Sequence, residues 1–565
     1  MKYIDLANVY ENLEKTSSKI GKTRILAEFF RKTPKEILYK VVLLSQSLVY
    51  PPYKQIELGI ATQLMIRAIT RATGFSTKEI EELYKKFGDL GLAAEHCVRN
   101  KRQKTFFKKE LTISFVFDKL QELGRITGEK SQDKKLSILS GLLLNAEPKE
   151  ARYLVRTILG ELRIGVAEGI VRDAIVEAFL IPKGIRKEEG VKWVEYAWNI
   201  LSDFGEVALI AKEEGIEGLK KVKPVLGRPM QVMLGLKAES IEEVLKRHPR
   251  VIVEFKYDGL RMQCHKKKDE VWIFTRRQEE VTKQFPDVVE SIRKHVKAEE
   301  CIIEGEAWPI DKKTGKPMPF QKLSQRIQRK YDIEKMVEEI PVQLNLFDIV
   351  YLNGELLIDK PLKERRKILE SIIEQVPGKI MLAEMIETSD LKEIEEFYHK
   401  ALSLKQEGVF LKNPESPYIF GRHVGGWYKI KPTAETLDLV IVGATWGEGK
   451  RAKWLSSYVL ACRDPDTGKL LTCGMMGTGL TEEQFEEMTR LLKPLIVKEK
   501  GREVWVKPKI VVEVGFQEIQ VSPHYESGYA LRFPRLVRVR FDKSPMEADT
   551  IERLKRLFQT QGKAG

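Results

Sequence analysis

Near the middle of the chain an extended apolar run, Val251-Ile252-Val253-Glu254-Phe255, leads into Lys256-Tyr257-Asp258-Gly259-Leu260-Arg261. The run predicts a strand that gives way to a tight turn, with the lysine at the junction. A lysine amine held among cations gives up its proton more readily and becomes a nucleophile, while a nearby arginine can hold a phosphate as the electrophile. The same segment also suits an ordinary Asp-Gly hairpin with a solvated lysine. Taken alone it leaves both readings open.

Further residues of matching chemistry follow in order. They are Arg276 in Thr275-Arg276-Arg277, Glu304 and Glu306 in Ile303-Glu304-Gly305-Glu306, Phe347 in Leu346-Phe347-Asp348, and Glu407 in Lys405-Gln406-Glu407-Gly408-Val409-Phe410-Leu411-Lys412. Arg422 comes next, and then Trp427-Tyr428-Lys429-Ile430-Lys431-Pro432. Carboxylates on neighbouring strands can hold Mg²⁺ or a ribose hydroxyl, an aromatic ring can stack on a purine, and lysines spaced by two on a strand face the same side. Each residue has an ordinary alternative: a polar strand face for Glu304 and Glu306, a core position for Phe347, a solvated edge for Lys429 and Lys431.

Elements of several kinds must position these groups. Up to about residue 220 helical periodicity dominates, with Ile170, Ala174 and Ala178 beside Val171, Ile175 and Phe179 on one face. Just ahead of that helix, Leu162-Arg163-Ile164-Gly165-Val166-Ala167-Glu168-Gly169 offers backbone amides to a phosphate or forms a plain interhelical turn. After the proline-punctuated linker Lys223-Pro224-Val225-Leu226-Gly227-Arg228-Pro229, β-rich stretches at Val271–Phe274, Cys301–Ile303 and Leu344–Tyr351 predict an α+β region with antiparallel sheets. Asn353-Gly354 supplies a hairpin turn. Beyond Lys431-Pro432-Thr433, roughly five strands and one helix suit a small barrel of the OB type. The expected architecture is a helical domain over 1–220, an α+β domain over 221–433 and an OB-fold domain over 434–565. No internal repeat is evident.

Composition sets the outer limits. A chain of 565 residues exceeds what one core usually serves. Lys+Arg number 97 against 82 Asp+Glu, so 97 − 82 = +15, a balance that favours a polyanionic partner. Charged residues at 32% also fit a solubility surface, and Lys/Glu enrichment fits a thermophilic source. Cys97, Cys264, Cys301, Cys462 and Cys473 are scattered, with no close pair for zinc or redox chemistry, which indicates a reducing intracellular setting. The start lacks a signal peptide and no apolar stretch is long enough to span a bilayer, so a soluble cytoplasmic protein without a membrane partner is expected.

The ordered set from the K-x-D-G segment to the K-x-K segment resembles the nucleotidyltransferase motifs of ATP-dependent DNA ligases. Leu531-Arg532-Phe533-Pro534-Arg535-Leu536-Val537-Arg538-Val539-Arg540-Phe541-Asp542-Lys543 is similar to the last motif of that family. The resemblance covers nearly the whole chain, in the arrangement of the archaeal and eukaryotic replicative type: a helical DNA-binding domain, an adenylation (nucleotidyltransferase) domain and an OB domain. It implies a monomeric, nucleoid-associated enzyme that seals nicked double-stranded DNA in replication, repair and recombination. Lys256 then attacks the α-phosphate of ATP to form lysyl-AMP, the AMP passes to the 5′-phosphate of the nick, and the 3′-hydroxyl displaces it. By the same resemblance Glu254 reads the adenine amino group, Arg261 and Glu306 the ribose region, Phe347 the base, and Arg276 phosphates. Arg422, Lys429 and Lys431 contact ATP, and Glu407, then Glu306, are ligands for Mg²⁺ or Mn²⁺. Arg538, Arg540 and Lys543 act from the OB domain. Gln103-Lys104-Thr105-Phe106-Phe107 resembles a peptide that docks on a sliding clamp through Gln103, Phe106 and Phe107, and equally suits a core aromatic pair. Messenger-RNA capping enzymes and RNA ligases share the lysine motif, NAD-dependent ligases carry a zinc site absent here, and a non-catalytic basic scaffold is the reading from another class. The long helical region and the Arg-Phe-Pro-Arg stretch favour the DNA enzyme.

Overall fold

A computed structural model of the chain describes residues 1–102, 108–238, 240–318, 322–323, 326–327, 332–421, 426–432 and 435–561. The chain divides into two compact units. The first comprises Met1–Leu236, Gly259–Glu384 and Lys412–Trp427, and the second Lys237–Asp258, Met385–Leu411 and Tyr428–Gly565.

The first unit begins with helices, from Tyr3–Lys15 to Gly215–Lys220. The stripe read from sequence is buried: Ile170, Val171, Ala174, Ile175, Ala178 and Phe179 all face inward. The helix Glu168–Ile175 runs on into a π-turn, Val176–Leu180, that keeps the stripe on one side. Ahead of it, Arg163 and Gly165 adopt left-handed backbone and the carbonyls of Ile164 and Gly165 accept hydrogen bonds from Lys22 Nζ at 2.6 and 3.1 Å. This segment is a tightly tied interhelical turn. The structure also reveals a local recurrence that identical letters do not show. Gly88-Asp89-Leu90-Gly91 and Ser202-Asp203-Phe204-Gly205 each pass from a left-handed residue to an aspartate whose Oδ1 caps the next helix, Leu90–Arg99 or Phe204–Glu213.

The same unit carries a six-stranded sheet. Its strands are β3 (Leu260–Lys267), β4 (Glu270–Thr275), β5 (Glu300–Pro309), β6 (Val342–Leu352), β7 (Glu355–Leu356) and β8 (Ile380–Leu382), ordered β4-β3-β5-β6-β7 with β8 parallel to β6. Alternating side chains divide its faces: Met262, Cys264, Ile273, Ile303, Leu344 and Leu346 enter a core closed by the helices Pro286–His295 and Leu362–Ile372. Asn353 and Gly354, both left-handed, turn β6 into β7 as the Asn-Gly pair requires.

The second unit holds a five-stranded sheet, β1 (Leu236–Lys237), β11 (Trp427–Ile430), β10 (Gly408–Lys412), β2 (Val251–Lys256) and β9 (Met385–Thr388), in that order, with β2 and β9 antiparallel. It also holds the strand-rich C-terminal region. There β12 (Thr436–Trp446) pairs with β13 (Leu455–Arg463), β16 (Glu503–Val506) and β17 (Val511–Gly515), while β14 (Leu470–Met476), β15 (Ile496–Lys500) and β20 (Arg535–Val539) extend the sheet. β18 (Glu518–Val521) pairs with β19 (Tyr529–Arg532). The region is richer in strands than the five expected, because β15, β16, β18 and β19 are short and partly exposed and so lack a continuous apolar signal. Near the end of the described residues, the helix Ile551–Thr560 buries Ile551 and Leu554 in the core.

Candidate active site

Lys256 is the last residue of β2, and Glu407 directly precedes β10 beside it. The Glu407 amide donates to the Lys256 carbonyl at 3.0 Å, and Lys256 Nζ lies 2.7 Å from Glu407 Oε2. Lys431, just past β11, ion-pairs with the same oxygen. The Asp258 amide donates to Gln406 Oε1 at 3.0 Å, so the turn after the lysine is tied to the segment that carries Glu407. Gly408 has a φ of 140°, and a Cβ there would stand 2.1 Å from the Ile430 carbonyl oxygen. Only glycine lets β10 run this close to the strand that leads to Lys431.

Electrostatics follow from this crowding. Burial works against the Glu407 carboxylate, but the ammonium groups of Lys256 and Lys431 outweigh it and hold its pKa below the ordinary value. Burial and then the charge of Lys256 lower the pKa of Lys431, with Glu407 offsetting part of the effect. A shared carboxylate thus holds two cations close together, an arrangement suited to an anionic phosphate. Glu254 is buried on β2, and Lys429 lies on β11 with its carbonyl accepting from the Ala238 amide at 3.2 Å.

A separate cluster lies in the first unit. Arg261 on β3 donates to the Met233 carbonyl at 2.7 Å and forms a close ion pair with Glu304, which is fully buried. Tyr418 Oη donates to Glu304 Oε1 at 2.6 Å and accepts from the Met233 amide at 2.9 Å. Burial opposes the charge of Arg261, and Glu304 more than compensates, so its pKa is raised. Glu306, half-buried on β5, pairs in register with Arg261, as Glu304 does with Gln263. A Cβ on Gly259 would meet the Ala307 carbonyl oxygen at 2.4 Å, so the glycine of the motif permits β3 to start against β5.

Phe347 on β6 is 8% exposed. The Arg261 guanidinium lies 5.3 Å and Lys412 Nζ 4.7 Å from its ring centroid, and Trp427 meets it edge-on at 6.1 Å. Its neighbour Asp348, in register with Glu304 where the pairing of β5 and β6 shifts, is held by Arg365 through bonds of 2.8 and 3.0 Å, both residues being fully buried. Arg276 is exposed in the turn after β4. Arg422, Gln103, Phe106 and Phe107 lie outside the described residues. In the C-terminal region Arg538 pairs with Glu513, while Arg540 and Lys543 converge on Asp438 at 3.1 and 2.6 Å.

Residues 232–431 match the family model for an ATP dependent DNA ligase domain, residues 2–176 that for a DNA ligase N terminus, and residues 451–543 that for an ATP dependent DNA ligase C terminal region. A DNA ligase of Nanoarchaeum equitans is 50% identical over 99% of both chains. The chain belongs to the ATP-dependent DNA ligase family. It is therefore an enzyme that uses ATP and forms phosphodiester bonds at nicks in DNA. A DNA ligase of Archaeoglobus fulgidus is 47% identical over 99% of each chain. The solved structure "Pmar-Lig_PreS3" has the same fold, with a TM-score of 0.58 over 95% of this chain and 99% of its own at 15% identity.

Sequence reasoning passed over several residues of the cluster around Arg261. Glu304 received no role of its own from the sequence, yet it is the buried partner of Arg261. The alternation Glu304-Gly305-Glu306 on one strand was the available signal, since both carboxylates share the face of Arg261 and Gln263. Tyr418 and Met233 gave no local signal, being brought to Arg261 only by the fold. No helix of the described residues is long and apolar enough to cross a membrane. Among the described residues, no group of three His, Cys, Asp or Glu side chains is placed to hold a metal.

Proposed function

We propose that Lys256 is the nucleophile of this ligase, in a division of labour between a helical DNA-binding domain (1–220), an adenylation domain (221–433) and an OB-fold domain (434–565). The observation that carries this reading is the placement of Lys256 Nζ at 2.7 Å from Glu407, with Lys431 on the same oxygen. Lys256 Nζ attacks the α-phosphate of ATP, the bond to the β-phosphate oxygen breaks and pyrophosphate leaves. Lys429 and Lys431 stabilise the charge on the transferring phosphoryl group. The AMP then passes to the 5′-phosphate of the nick, and the 3′-hydroxyl displaces it to form the phosphodiester bond.

Glu254 reads the adenine amino group, Arg261 and Glu306 hold the ribose region, Phe347 packs on the base, and Arg276 and Arg422 contact phosphates. A divalent ion, Mg²⁺ or Mn²⁺, when bound, neutralises phosphate charge. Glu407, whose ionised form is favoured, suits it, and Glu306 is a further donor. The net charge of +15 fits a clamp on duplex DNA through phosphate contacts, so affinity falls steeply with salt. The enzyme acts as a cytoplasmic, nucleoid-associated monomer in replication, repair and recombination, and Gln103, Phe106 and Phe107 dock on a sliding clamp.

Incubation with α-labelled ATP and Mg²⁺ followed by denaturing electrophoresis tests the assignment. Wild type forms an acid-labile AMP adduct and Lys256→Ala forms none. An adduct on Lys256→Ala overturns it.

A further inference from the structure

The segment that joins the helices to the six-stranded sheet is bonded on both sides. Toward the helices, Ser202 Oγ donates to the Pro229 carbonyl at 3.0 Å and accepts from Gln231 Nε2 at 3.2 Å, and the Gln231 amide donates to the Asn199 carbonyl at 2.8 Å. Ser202 ends the helix Lys187–Leu201. Toward the sheet, the Met230 amide donates to Gln263 Oε1 at 2.8 Å, and Gln263 Nε2 reaches Glu304 Oε1 at 3.3 Å. Met233 gives its carbonyl to Arg261 and its amide to Tyr418, which in turn bonds Glu304. His265 seals the same end: its Nδ1 accepts from the Gly227 amide at 3.2 Å and its Nε2 meets Gln263 Oε1 at 2.9 Å. Met230, Met233, Gln263, Glu304 and Tyr418 are all buried, so these bonds have no water to replace them.

We infer that residues 229–233 form a tether that couples the helical region to the nucleotide site, with Tyr418 and Gln263 as positioning residues for Arg261. This rests on the reading that Arg261 holds the ribose of ATP. Arg261 has its guanidinium set by the Met233 carbonyl and by a carboxylate that Tyr418 and Gln263 orient. A shift of the helix end at Ser202 displaces Pro229 and Gln231, and through Met230 and Met233 it changes the angle at which Arg261 is presented. Coupling of this kind is carried by contiguous bonded groups and is read as non-additivity.

The test is the KM for ATP in lysyl-AMP formation by the full chain. Tyr418→Phe is expected to raise it about fivefold, the size of one lost buried hydrogen bond. Ser202→Ala, remote from the nucleotide, is expected to raise it about threefold, with the rate at saturating ATP within about twofold of wild type. The double variant falls short of the product of the two. Gln231→Ala repeats the test should Ser202→Ala fold poorly. Unchanged KM in both Ser202→Ala and Gln231→Ala, or effects that simply multiply, overturns the tether while leaving the nucleophile assignment intact. An unchanged KM in Arg261→Ala overturns the reading of Arg261 and the tether with it. Loss of the adduct in wild type overturns the assignment of Lys256.

Discussion

The two clusters around the K-x-D-G segment differ in how their charges are balanced. Around Lys256 two cations share one carboxylate oxygen, and all three side chains keep part of their surface in solvent. Around Arg261 the partners are fully buried and every carboxylate oxygen of Glu304 is bonded. The first arrangement leaves excess positive charge for an incoming phosphate. The second has its charge neutralised within the protein and serves to hold geometry. On the proposed reading the first cluster is arranged to react and the second to stay in place.

Substitutions in the two clusters should therefore fail in different ways. Lys256→Arg preserves the charge and the pair with Glu407 but removes the proposed nucleophile. Adduct formation is expected to fall by at least about 10³-fold with little change in melting temperature, since a guanidinium is not deprotonated in proteins. Arg365, whose guanidinium lies over the Tyr418 ring, backs the second cluster, and Arg365→Ala takes the ion-pair partner from the buried Asp348 beside Glu304. A stability loss of about 3–5 kcal/mol by urea denaturation is expected, and preserved stability would show that the second cluster is less rigid than its bonds suggest.

Lys431→Ala removes one of the two cations on Glu407. The rate of lysyl-AMP formation at saturating ATP should drop about 10²-fold, with stability changed by less than about 1 kcal/mol. The second cluster should also be the acid-sensitive one. Burial lowers the pKa of His265 to about 3, far below its ordinary value. The unfolded chain then binds the proton first as pH falls. Stability tied to His265 is complete above about pH 6.5 and declines by about 1.4 kcal/mol per unit below it until the folded-state value is reached. Comparing denaturation of wild type and His265→Gln between neutral and mildly acid pH reads this slope, which should flatten in the variant.

Much of the molecule was legible in the sequence. The helical stripe of Ile170, Ala174 and Ala178, the strands through Ile273, Ile303 and Leu346, and the Asn353-Gly354 turn follow from periodicity and local backbone preference. The order of Lys256, Arg261, Glu306, Phe347, Glu407 and Lys431 pointed to nucleotide chemistry because each residue type has its own use around ATP. Short exposed strands such as β15 and β18 were not legible, since sheet pairing and not an apolar run holds them.

What the chain determined alone is which groups are present and which face of an element each one occupies. Pairing partners were decided only by tertiary structure. Glu304 meets Arg261 and Tyr418, Glu407 gathers Lys256 and Lys431, and Met233 reaches Arg261 from the end of a linker. These contacts join residues far apart in sequence, and a buried charge is tolerable only where a partner of opposite sign arrives from elsewhere in the fold. Periodicity carries no information about that arrival.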